Sequence, residues 1–327
     1  MNITTHQWPV REQKAVDDFY ISLRSVWDTM RPWYTLAEPY SEAGAQQFRD
    51  AMRYGHDGWA TPKRLDDVAV NLPIPSSSGN GDLYVRTFRP SGVCHGVYLH
   101  FHSGGWTLGS ADIEDEVLSR IANKTGYMVA SVEYRLAPKH RYPGAIEDGL
   151  DAAAFFLRAE SEREYGPLCI VGGESAGAHL AMTVIFGLRQ RGVDVQEQLR
   201  CLVFNYGVDL GLTPSVRNNQ DNLILSRRDM EVFVQTWIQD RDPRDARVSP
   251  LYEKDFGNMP PAIFVVGDKD PLLDDSLFAS MKWHAAGNET QVVIFPGSFH
   301  GLARLGGPDM EASLTVSERF IRAHGSA

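Results

Sequence analysis

The sequence predicts an α/β fold, a mostly parallel eight-stranded sheet flanked by helices, with a helical cap. Three observations predict it. From about Leu65 onward, short strand-like runs alternate with helical patterns. The later strand-like runs are almost continuously apolar, as expected of parallel strands that helices cover on both faces. The first sixty residues differ, because they combine helical periodicity with many aromatic side chains.

Each predicted strand is a short run bounded by Gly, Pro or polar residues. The eight strands are expected at residues 67–72, 83–89, 96–102, 127–134, 168–172, 199–205, 262–266 and 290–295. Helices are expected where apolar residues recur three and four positions apart. These patterns cover residues 11–30, 41–54, 112–125, 142–159, 176–191, 227–239, 271–286 and 309–323. We expect Pro32 to end the first helix, since proline breaks the helical hydrogen-bond ladder.

The alternation also predicts the domain organisation. Residues 1–60 are predicted to be an N-terminal helical cap segment, and residues 61–327 the main α/β domain. Residues 206–250 interrupt the alternation after the sixth predicted strand and are interpreted as a cap insertion. The aromatic residues of the first segment favour a lid over an apolar pocket, although helix packing on the main domain explains them as well.

Composition and charge exclude several classes of function. The chain has 327 residues, a formal net charge of −10 and no run rich in Lys and Arg. We therefore expect neither a nucleic-acid partner nor an anionic membrane surface. No stretch approaches the roughly 20 apolar residues that a membrane span needs, so we expect no membrane insertion.

Cysteine usage indicates the compartment. Cys94, Cys169 and Cys201 are widely separated and odd in number, which argues against a disulfide framework and against a zinc site. They are interpreted as buried thiols in a reducing compartment, and the N-terminus lacks a signal-peptide pattern. We therefore expect a cytoplasmic protein with no metal and no other cofactor.

Gly173-Glu174-Ser175-Ala176-Gly177 is the most informative stretch for function. It joins a predicted strand to a predicted helix, the context in which a G-x-S-x-G pattern forms a nucleophile elbow. The glycines leave room for the serine to approach neighbouring backbone on a sharp turn. The pattern predicts Ser175 as a nucleophile, and such a serine requires a base, an acid that orients the base and donors for an oxyanion.

Candidates for the acid and the base follow Ser175 in the expected order. Asp270 lies just past the seventh predicted strand, with Asp268 as its competitor. His300 lies in a glycine-rich turn after the eighth, where core packing does not explain a histidine. The expected oxyanion donors are the amide of Ala176 and the glycine-rich turn over residues 102–106, which follows the third predicted strand.

These motifs together resemble the hormone-sensitive-lipase-like family of α/β-hydrolase esterases. The matching segments are His102-Ser103-Gly104-Gly105-Trp106, Glu133-Tyr134-Arg135-Leu136-Ala137-Pro138, Gly173-Glu174-Ser175-Ala176-Gly177, Asp270-Pro271-Leu272 and Phe299-His300-Gly301. The resemblance covers about Val97 to the C-terminus. It implies an α/β-hydrolase fold, the triad Ser175, Asp270 and His300, and oxyanion donors at Gly104, Gly105 and Ala176.

The chain departs from the family pattern at two positions. Ser103 stands where the family has the first glycine of its HGGG motif, and Ala178 where it has a second glycine after the elbow. Ser103 supports the turn rather than donating to the oxyanion, so we expect the hole to survive.

The resemblance implies a serine hydrolase that cleaves a short- to medium-chain carboxylic ester through an acyl-enzyme, as a carboxylesterase or deacetylase. The expected partner is a small-molecule ester, and a homodimer is left open. We also expect substrate contacts from Trp106, Ser103, Tyr206 and Trp33. Two alternatives stay open. One is a lactonase or an amide or formamide hydrolase that uses the same triad, and the other is a non-catalytic receptor, which His300 argues against.

Overall fold

The computed structural model describes residues 1–34, 41–55, 61–79, 81, 83–221 and 223–325, with only the backbone described at residues 11 and 29–34. It confirms the predicted fold class, a mostly parallel sheet flanked by helices. The number of strands differs from the prediction, because the sheet formed by these residues has nine strands instead of eight.

The nine strands of the described chain are short and mostly apolar. In chain order they are β1 Asn2–Thr5, β2 Val70–Ile74, β3 Leu83–Phe88, β4 Val97–Phe101, β5 Met128–Val132, β6 Leu168–Glu174, β7 Cys201–Asn205, β8 Ala262–Gly267 and β9 Thr290–Phe295. Across the sheet they are ordered β1-β9-β8-β7-β6-β4-β5-β3-β2. The pairs β2 with β3 and β3 with β5 are antiparallel, and the other pairs are parallel.

Strand β1 is the additional strand. It pairs in parallel with β9, with Asn2 opposite Gln291 and Thr5 opposite Ile294. All four of its residues are exposed. Ile3, Thr4 and Thr5 are residue types that favour strands, but a segment of four residues with no apolar alternation is too short for the sequence pattern to predict it.

The helices of the described residues cover both faces of the sheet. They are α1 Val10–Tyr34, α2 Glu42–Tyr54, α3 Asp115–Thr125, α4 Gly144–Phe156, α5 Ala159–Tyr165, α6 Ala176–Gln190, α7 Val195–Gln198, α8 Pro214–Asn218, α9 Arg227–Ile238, α10 Leu273–Ala285 and α11 Pro308–Gly325. A 3₁₀ turn spans Pro250–Tyr252. Helix α9 begins with a capping box, in which Ser226 and Asp229 bond reciprocally to each other's backbone amides.

Helix α1 is longer than predicted. Pro32 was expected to end it, but the helix continues to Tyr34. Proline removes one N–H donor and crowds the carbonyl four residues before it, but only two residues of the helix follow Pro32, so few further hydrogen bonds depend on this turn. The helix therefore ends shortly after the proline instead of at it.

The core lies on both faces of the sheet. In β4, the side chains of Val97, Leu99 and Phe101 belong to one buried apolar cluster, and Tyr98 between them belongs to the other. All five residues of this strand are buried. The continuous apolar runs therefore reflect two covered faces, as predicted. The described parallel strands end at one edge of the sheet, where the loops after β4, β6, β8 and β9 meet.

Candidate active site

Ser175 lies on a sharp turn between β6 and α6. Its φ is 54°, in the left-handed region that non-glycine residues rarely adopt. The flanking glycines make the turn feasible. A β carbon at Gly173 would lie 2.4 Å from the carbonyl oxygen of Phe101, and one at Gly177 would lie 2.0 Å from the same atom. The close backbone approach inferred from the G-x-S-x-G pattern is therefore present at both positions.

Three predicted residues meet at this edge of the sheet. The Ser175 Oγ is 2.9 Å from His300 Nε2. His300 Nδ1 is 2.9 Å from Asp270 Oδ2 and 3.1 Å from Oδ1. Asp270 is 3% exposed, and its Oδ1 also accepts the amide of Leu272 at 2.8 Å. A neutral imidazole protonated on Nδ1 donates to the carboxylate and accepts the serine proton on Nε2.

The competing acid, Asp268, lies elsewhere. Its side chain is exposed and accepts the amide of Gly297 at 2.8 Å. The structure thus brings Asp270, and not Asp268, to His300. A backbone hydrogen bond of this kind explains an aspartate at the end of a strand without any chemical role.

The loop that carries His300 is supported by Tyr20 of α1 and by Trp8, which precedes α1. The ring of Tyr20 packs 4.9 Å from the ring of Phe299, the residue before the histidine. The indole N–H of Trp8 donates to the carbonyl of Pro296 at 3.2 Å. The N-terminal segment is therefore in direct contact with a loop of the candidate site.

Two residues of the glycine-rich turn after β4 have positive φ values, which favour glycine. Gly104 has a φ of 134° and Gly105 a φ of 58°. The amides of Thr107 and Leu108 both donate to the carbonyl of Gly104, at 3.1 and 2.7 Å, and close the turn. A β carbon at Gly104 would lie 2.1 Å from the carbonyl oxygen of Leu108, so only glycine fits there. Gly104, Gly105 and Ala176 line one cavity with Ser175.

Side chains from outside the turn hold it in place. The hydroxyl of Tyr134 donates to the carbonyl of His102 at 2.8 Å, and the two rings stack 4.1 Å apart. Arg49 of α2 donates to the carbonyls of Thr107, at 2.9 Å, and Ala137, at 2.7 Å. Arg49 belongs to none of the motifs, so nothing in the sequence around it indicates this role.

Trp106 was expected to contact substrate. It lines the cavity, but it is 2% exposed and is stacked on Trp237 with ring centroids 4.8 Å apart. Its indole N–H donates to His179 Nδ1 at 3.0 Å, and His179 Nε2 lies 2.8 Å from the carbonyl of Val248. Burial lowers the pKa of His179 to about 4, consistent with a neutral ring that donates from Nε2. Most of the Trp106 side chain is therefore engaged in packing inside the protein.

Three further residues were predicted to contact substrate. Tyr206 and Ser103 line the cavity, and the side chain of Trp33 is not described. The ring of Tyr206 packs edge-on, 5.1 Å from that of His300. The hydroxyl of Ser103 donates to Glu114 Oε1 at 3.0 Å. Trp33 belongs to α1, and its side chain is not among the described residues.

The cavity itself has a volume of about 560 Å³. Its walls are largely apolar and come from several separate segments. On the side of the N-terminal helices they include Leu23, Val26, Trp27, Phe48 and Met52, and on the side of residues 206–250 they include Ile224, Leu225, Met230 and Phe233. Both predicted cap segments therefore contribute side chains to the cavity that Ser175 also lines.

Among the described residues, His100, Glu114 and Glu174 could be considered for a metal, because their ligand atoms lie within 4.8 Å of one another. Sequence spacing gave no signal for this group. However, His100 Nε2 and Glu174 Oε2 are only 2.5 Å apart. Two ligands of one zinc ion, at about 2.0–2.2 Å from it in tetrahedral geometry, lie more than 3 Å apart. The contact is a direct hydrogen bond, and the residues do not fit an ion.

The buried titratable groups of this cluster shift one another's pKa values. Burial works to lower the pKa of His100, but the charge and the hydrogen bond of Glu174, together with the charge of Glu114, outweigh burial and raise the pKa above its usual value. Burial and the charge of Glu174 raise the pKa of Glu114. The cluster lies directly behind the turn that carries Ser175.

In the described part of the chain, none of the helices is both long enough and apolar enough to cross a bilayer.

Comparison with known proteins identifies the family. A family model described as an alpha/beta hydrolase fold matches residues 98–304. The carboxylic ester hydrolase LipN of Mycobacterium tuberculosis is 30% identical over 250 residues, which cover 74% of this chain and 65% of that protein. The chain thus spans slightly less than two thirds of that relative. An acetyl esterase of Salmonella schwarzengrund is 28% identical over 67% of this chain and 69% of its own length.

Solved structures show the same likeness. EstE1, a thermophilic carboxylesterase cloned from a metagenomic library, superposes with a TM-score of 0.75 at 25% identity. That match covers 86% of this chain and 98% of EstE1.

Proposed function

The chain belongs to the hormone-sensitive-lipase-like family of α/β hydrolases, and from that premise we propose that it is a serine hydrolase that cleaves short- to medium-chain carboxylic esters through an acyl-enzyme. The observation that carries the proposal is the hydrogen-bonded chain from Ser175 through His300 to Asp270, which opens into a largely apolar cavity.

In the proposed mechanism, His300 Nε2 removes the proton of Ser175 as its Oγ attacks the ester carbonyl. The negative charge that develops on the carbonyl oxygen is stabilised by the amides of Gly104, Gly105 and Ala176. Asp270 keeps the imidazole in the tautomer that accepts this proton, and it stabilises the imidazolium that forms.

The same groups complete the cycle. The imidazolium of His300 protonates the departing alkoxide, which leaves an ester between the acyl group and Ser175. His300 then removes a proton from water as the water oxygen attacks the acyl carbonyl. The imidazolium returns this proton to the Ser175 Oγ as the bond between that oxygen and the acyl carbon breaks, which releases the carboxylic acid and restores Ser175. Every proton transfer in this sequence passes through the Nε2 atom, so no further acid or base is required.

The proposed substrate size is two to about eight acyl carbons. The cavity volume of about 560 Å³ is bounded on the helical side by bulky residues such as Trp27 and Phe233. Each added methylene gains about 0.8 kcal/mol only while there is apolar wall left to bury it. Faster hydrolysis of emulsified long-chain triglyceride than of p-nitrophenyl butyrate, at matched concentrations, would contradict this size range.

We also propose that residues 1–60 and 206–250 form the cap of the site. The support is that both segments contribute apolar side chains to the cavity, for example Trp27 and Phe233. A chain that lacks residues 1–35 should lose turnover and change its acyl preference. A chain that lacks only residues 1–7, and so retains α1 but not β1, is the matched control. Unchanged kinetics after the longer deletion would refute the cap.

Hydrolysis of a lactone or an amide would use the same proposed triad and oxyanion donors, because these reactions also pass through a tetrahedral oxyanion. A panel of p-nitrophenyl esters, lactones and formamides separates these activities by kcat/KM. A fluorophosphonate label tests the non-catalytic alternative: labelling at Ser175 supports a hydrolase, and a chain that stays unlabelled and hydrolyses no substrate of the panel supports a receptor.

The remaining expectations are proposals of the same kind. Activity should survive EDTA and dithiothreitol, because no proposed step uses a metal or a disulfide; loss on chelation with recovery on added zinc would contradict this. We propose a cytoplasmic location, supported by the three free cysteines. A small-molecule ester is the proposed partner, without nucleic acid, and a homodimer stays a prediction.

A further inference from the structure

A buried polar network joins the loops of the candidate active site. The hydroxyl of Ser103 donates to Glu114 Oε1 at 3.0 Å, and Arg304 Nε lies 3.4 Å from the same oxygen. Glu114 is only 5% exposed. Burying a carboxylate is costly, and these two side chains reduce that cost for Glu114. Ser103 belongs to the glycine-rich turn, and Arg304 follows His300 by four residues.

The network extends to the nucleophile turn. Glu174, which immediately precedes Ser175, accepts from Asn205 at 3.1 Å and lies 2.5 Å from His100 Nε2. The same His100 nitrogen is 3.9 Å from Glu114 Oε2. Glu114 therefore touches side chains of the glycine-rich turn and of the histidine loop directly, and it reaches the nucleophile turn through His100.

We propose that Glu114 is a positioning residue, which holds Ser103 and thereby places the amides of Gly104 and Gly105 relative to Ser175 and His300. The inference rests on the proposed function. Glycine gives these positions the required φ values but no side chain that could fix the turn by packing. Ser103 stands where the resembling family has glycine, and its hydroxyl supplies the tether. Because Glu114 also contacts Arg304, one carboxylate fixes the turn and the histidine loop together.

A misplaced oxyanion donor should lower kcat and leave KM nearly unchanged, since the oxyanion exists only in the transition state. One donor is worth about 10²–10³ in kcat, so partial misplacement by Ser103→Ala should cost about 3- to 10-fold. Glu114→Ala should lower kcat by about 30-fold, still less than the full loss of one donor but more than Ser103→Ala, because it releases both loops. Glu114→Gln keeps an acceptor for Ser103 and should recover most of the kcat that Glu114→Ala loses.

A double-mutant cycle tests whether these residues act together. In the Glu114→Ala background, Ser103→Ala should lower kcat by less than about twofold, because its acceptor is already gone. Additive losses in the double variant would overturn the proposal. So would a loss expressed mainly in KM.

Ser110→Ala is the matched control. The Ser110 hydroxyl also donates to a buried carboxylate, Asp112 Oδ1, at 2.5 Å, in the same segment between β4 and α3. It lies outside the residues that line the cavity. Ser110→Ala should lower the melting temperature by as much as Ser103→Ala and leave kcat unchanged. Equal losses of kcat in both variants would show general loosening and overturn the proposal.

A second readout separates this inference from the proposed function. The rate of fluorophosphonate labelling at Ser175 depends on the serine, the histidine and the oxyanion donors whichever bond is the natural substrate. If the wild-type chain hydrolyses no ester, the proposed function fails, and the labelling rates of the variants still decide the role of Glu114. If Glu114→Ala does not fold, Ser103→Ala and Glu114→Gln carry the test: slower labelling by the first and near-wild-type labelling by the second support the proposal, and equal rates contradict it.

Discussion

The cavity is lined by two kinds of region, which differ in the contacts that hold them. We call the loops at the carboxyl edge of the sheet the loop side, and the helices of the two predicted cap segments the helix side. On the loop side, Ser175 and Gly105 are held at positive φ, and Asp270 and Glu114 are buried carboxylates with hydrogen-bonded partners. On the helix side, the contacts to the cavity come from apolar side chains such as Trp27 and Met52.

Because of this difference, we expect the two sides to respond differently to substitutions. A hydrogen bond weakens steeply when one of its atoms moves by a fraction of an ångström. The volume of a cavity with apolar walls changes only gradually when a wall side chain is replaced. We therefore expect the loop side to control kcat and the helix side to control which acyl groups fit. Substitutions on the two sides should differ by orders of magnitude in their effect.

Ser175→Ala should have the largest effect. Without the nucleophile the acyl-enzyme cannot form, and a loss on the order of 10⁶ in kcat is expected. Hydrolysis of p-nitrophenyl butyrate measures it. The melting temperature should stay close to that of the wild type, because alanine retains the β carbon of the turn. Retention of a tenth of the turnover would refute the role of Ser175.

The acid of the loop side comes next. Asp270→Asn keeps the shape of the side chain but no longer stabilises the imidazolium and favours the wrong tautomer, so kcat should fall by about 10⁴. Asp268→Asn is the matched control, since Asp268 is exposed and accepts only the amide of Gly297 among the described residues. Its effect should stay within about twofold. The reverse ranking would assign the acid to Asp268.

Gly105→Ala should lower kcat by about 10², since it displaces an oxyanion donor. The new β carbon would lie 2.5 Å from the ring of Phe233, at a φ of 58°. Phe233→Ala in the same chain should recover only part of kcat, because the φ strain stays. Gly92→Ala serves as the control: nothing lies within 4 Å of its β carbon. Full recovery in the double variant would show that the ring contact alone sets the turn.

The smallest effect is expected on the helix side. Trp27→Ala enlarges the cavity and should raise the ratio of kcat/KM for octanoate over butyrate by about 3- to 10-fold, with a small change in kcat for butyrate. Val10→Ala, on the same helix but with Val10 90% exposed, should leave the ratio unchanged. A large fall in kcat for butyrate after Trp27→Ala would erase the distinction between the two sides.

Much of the loop side could be predicted from sequence. The motifs predicted Ser175, Asp270 and His300, and in the structure His300 lies within hydrogen-bonding distance of both Ser175 and Asp270. Such residues are predictable because each needs a special backbone setting, and glycines or strand ends mark those settings locally. The fold class was predictable for the same reason, since apolar runs and helical periods are local patterns.

The remaining features depend on contacts between distant segments. Glu114 directly precedes helix α3, and a carboxylate at that position is ordinarily explained by its favourable interaction with the helix dipole. The sequence therefore gives no separate indication of its hydrogen bond to Ser103. Arg49 lies 58 residues from the carbonyl of Thr107 that it binds. The one hint was Ser103 itself, a hydroxyl where the family has glycine.

Strand β1 also bears on how copies of the chain behave towards one another. It covers the main-chain groups of β9, which would otherwise end the sheet as an unpaired template for another chain. What it presents in turn is a four-residue polar edge. Proteolytic trimming of the first residues would uncover β9 and invite aggregation. A loss of soluble protein after such trimming would then report on edge protection and not on catalysis.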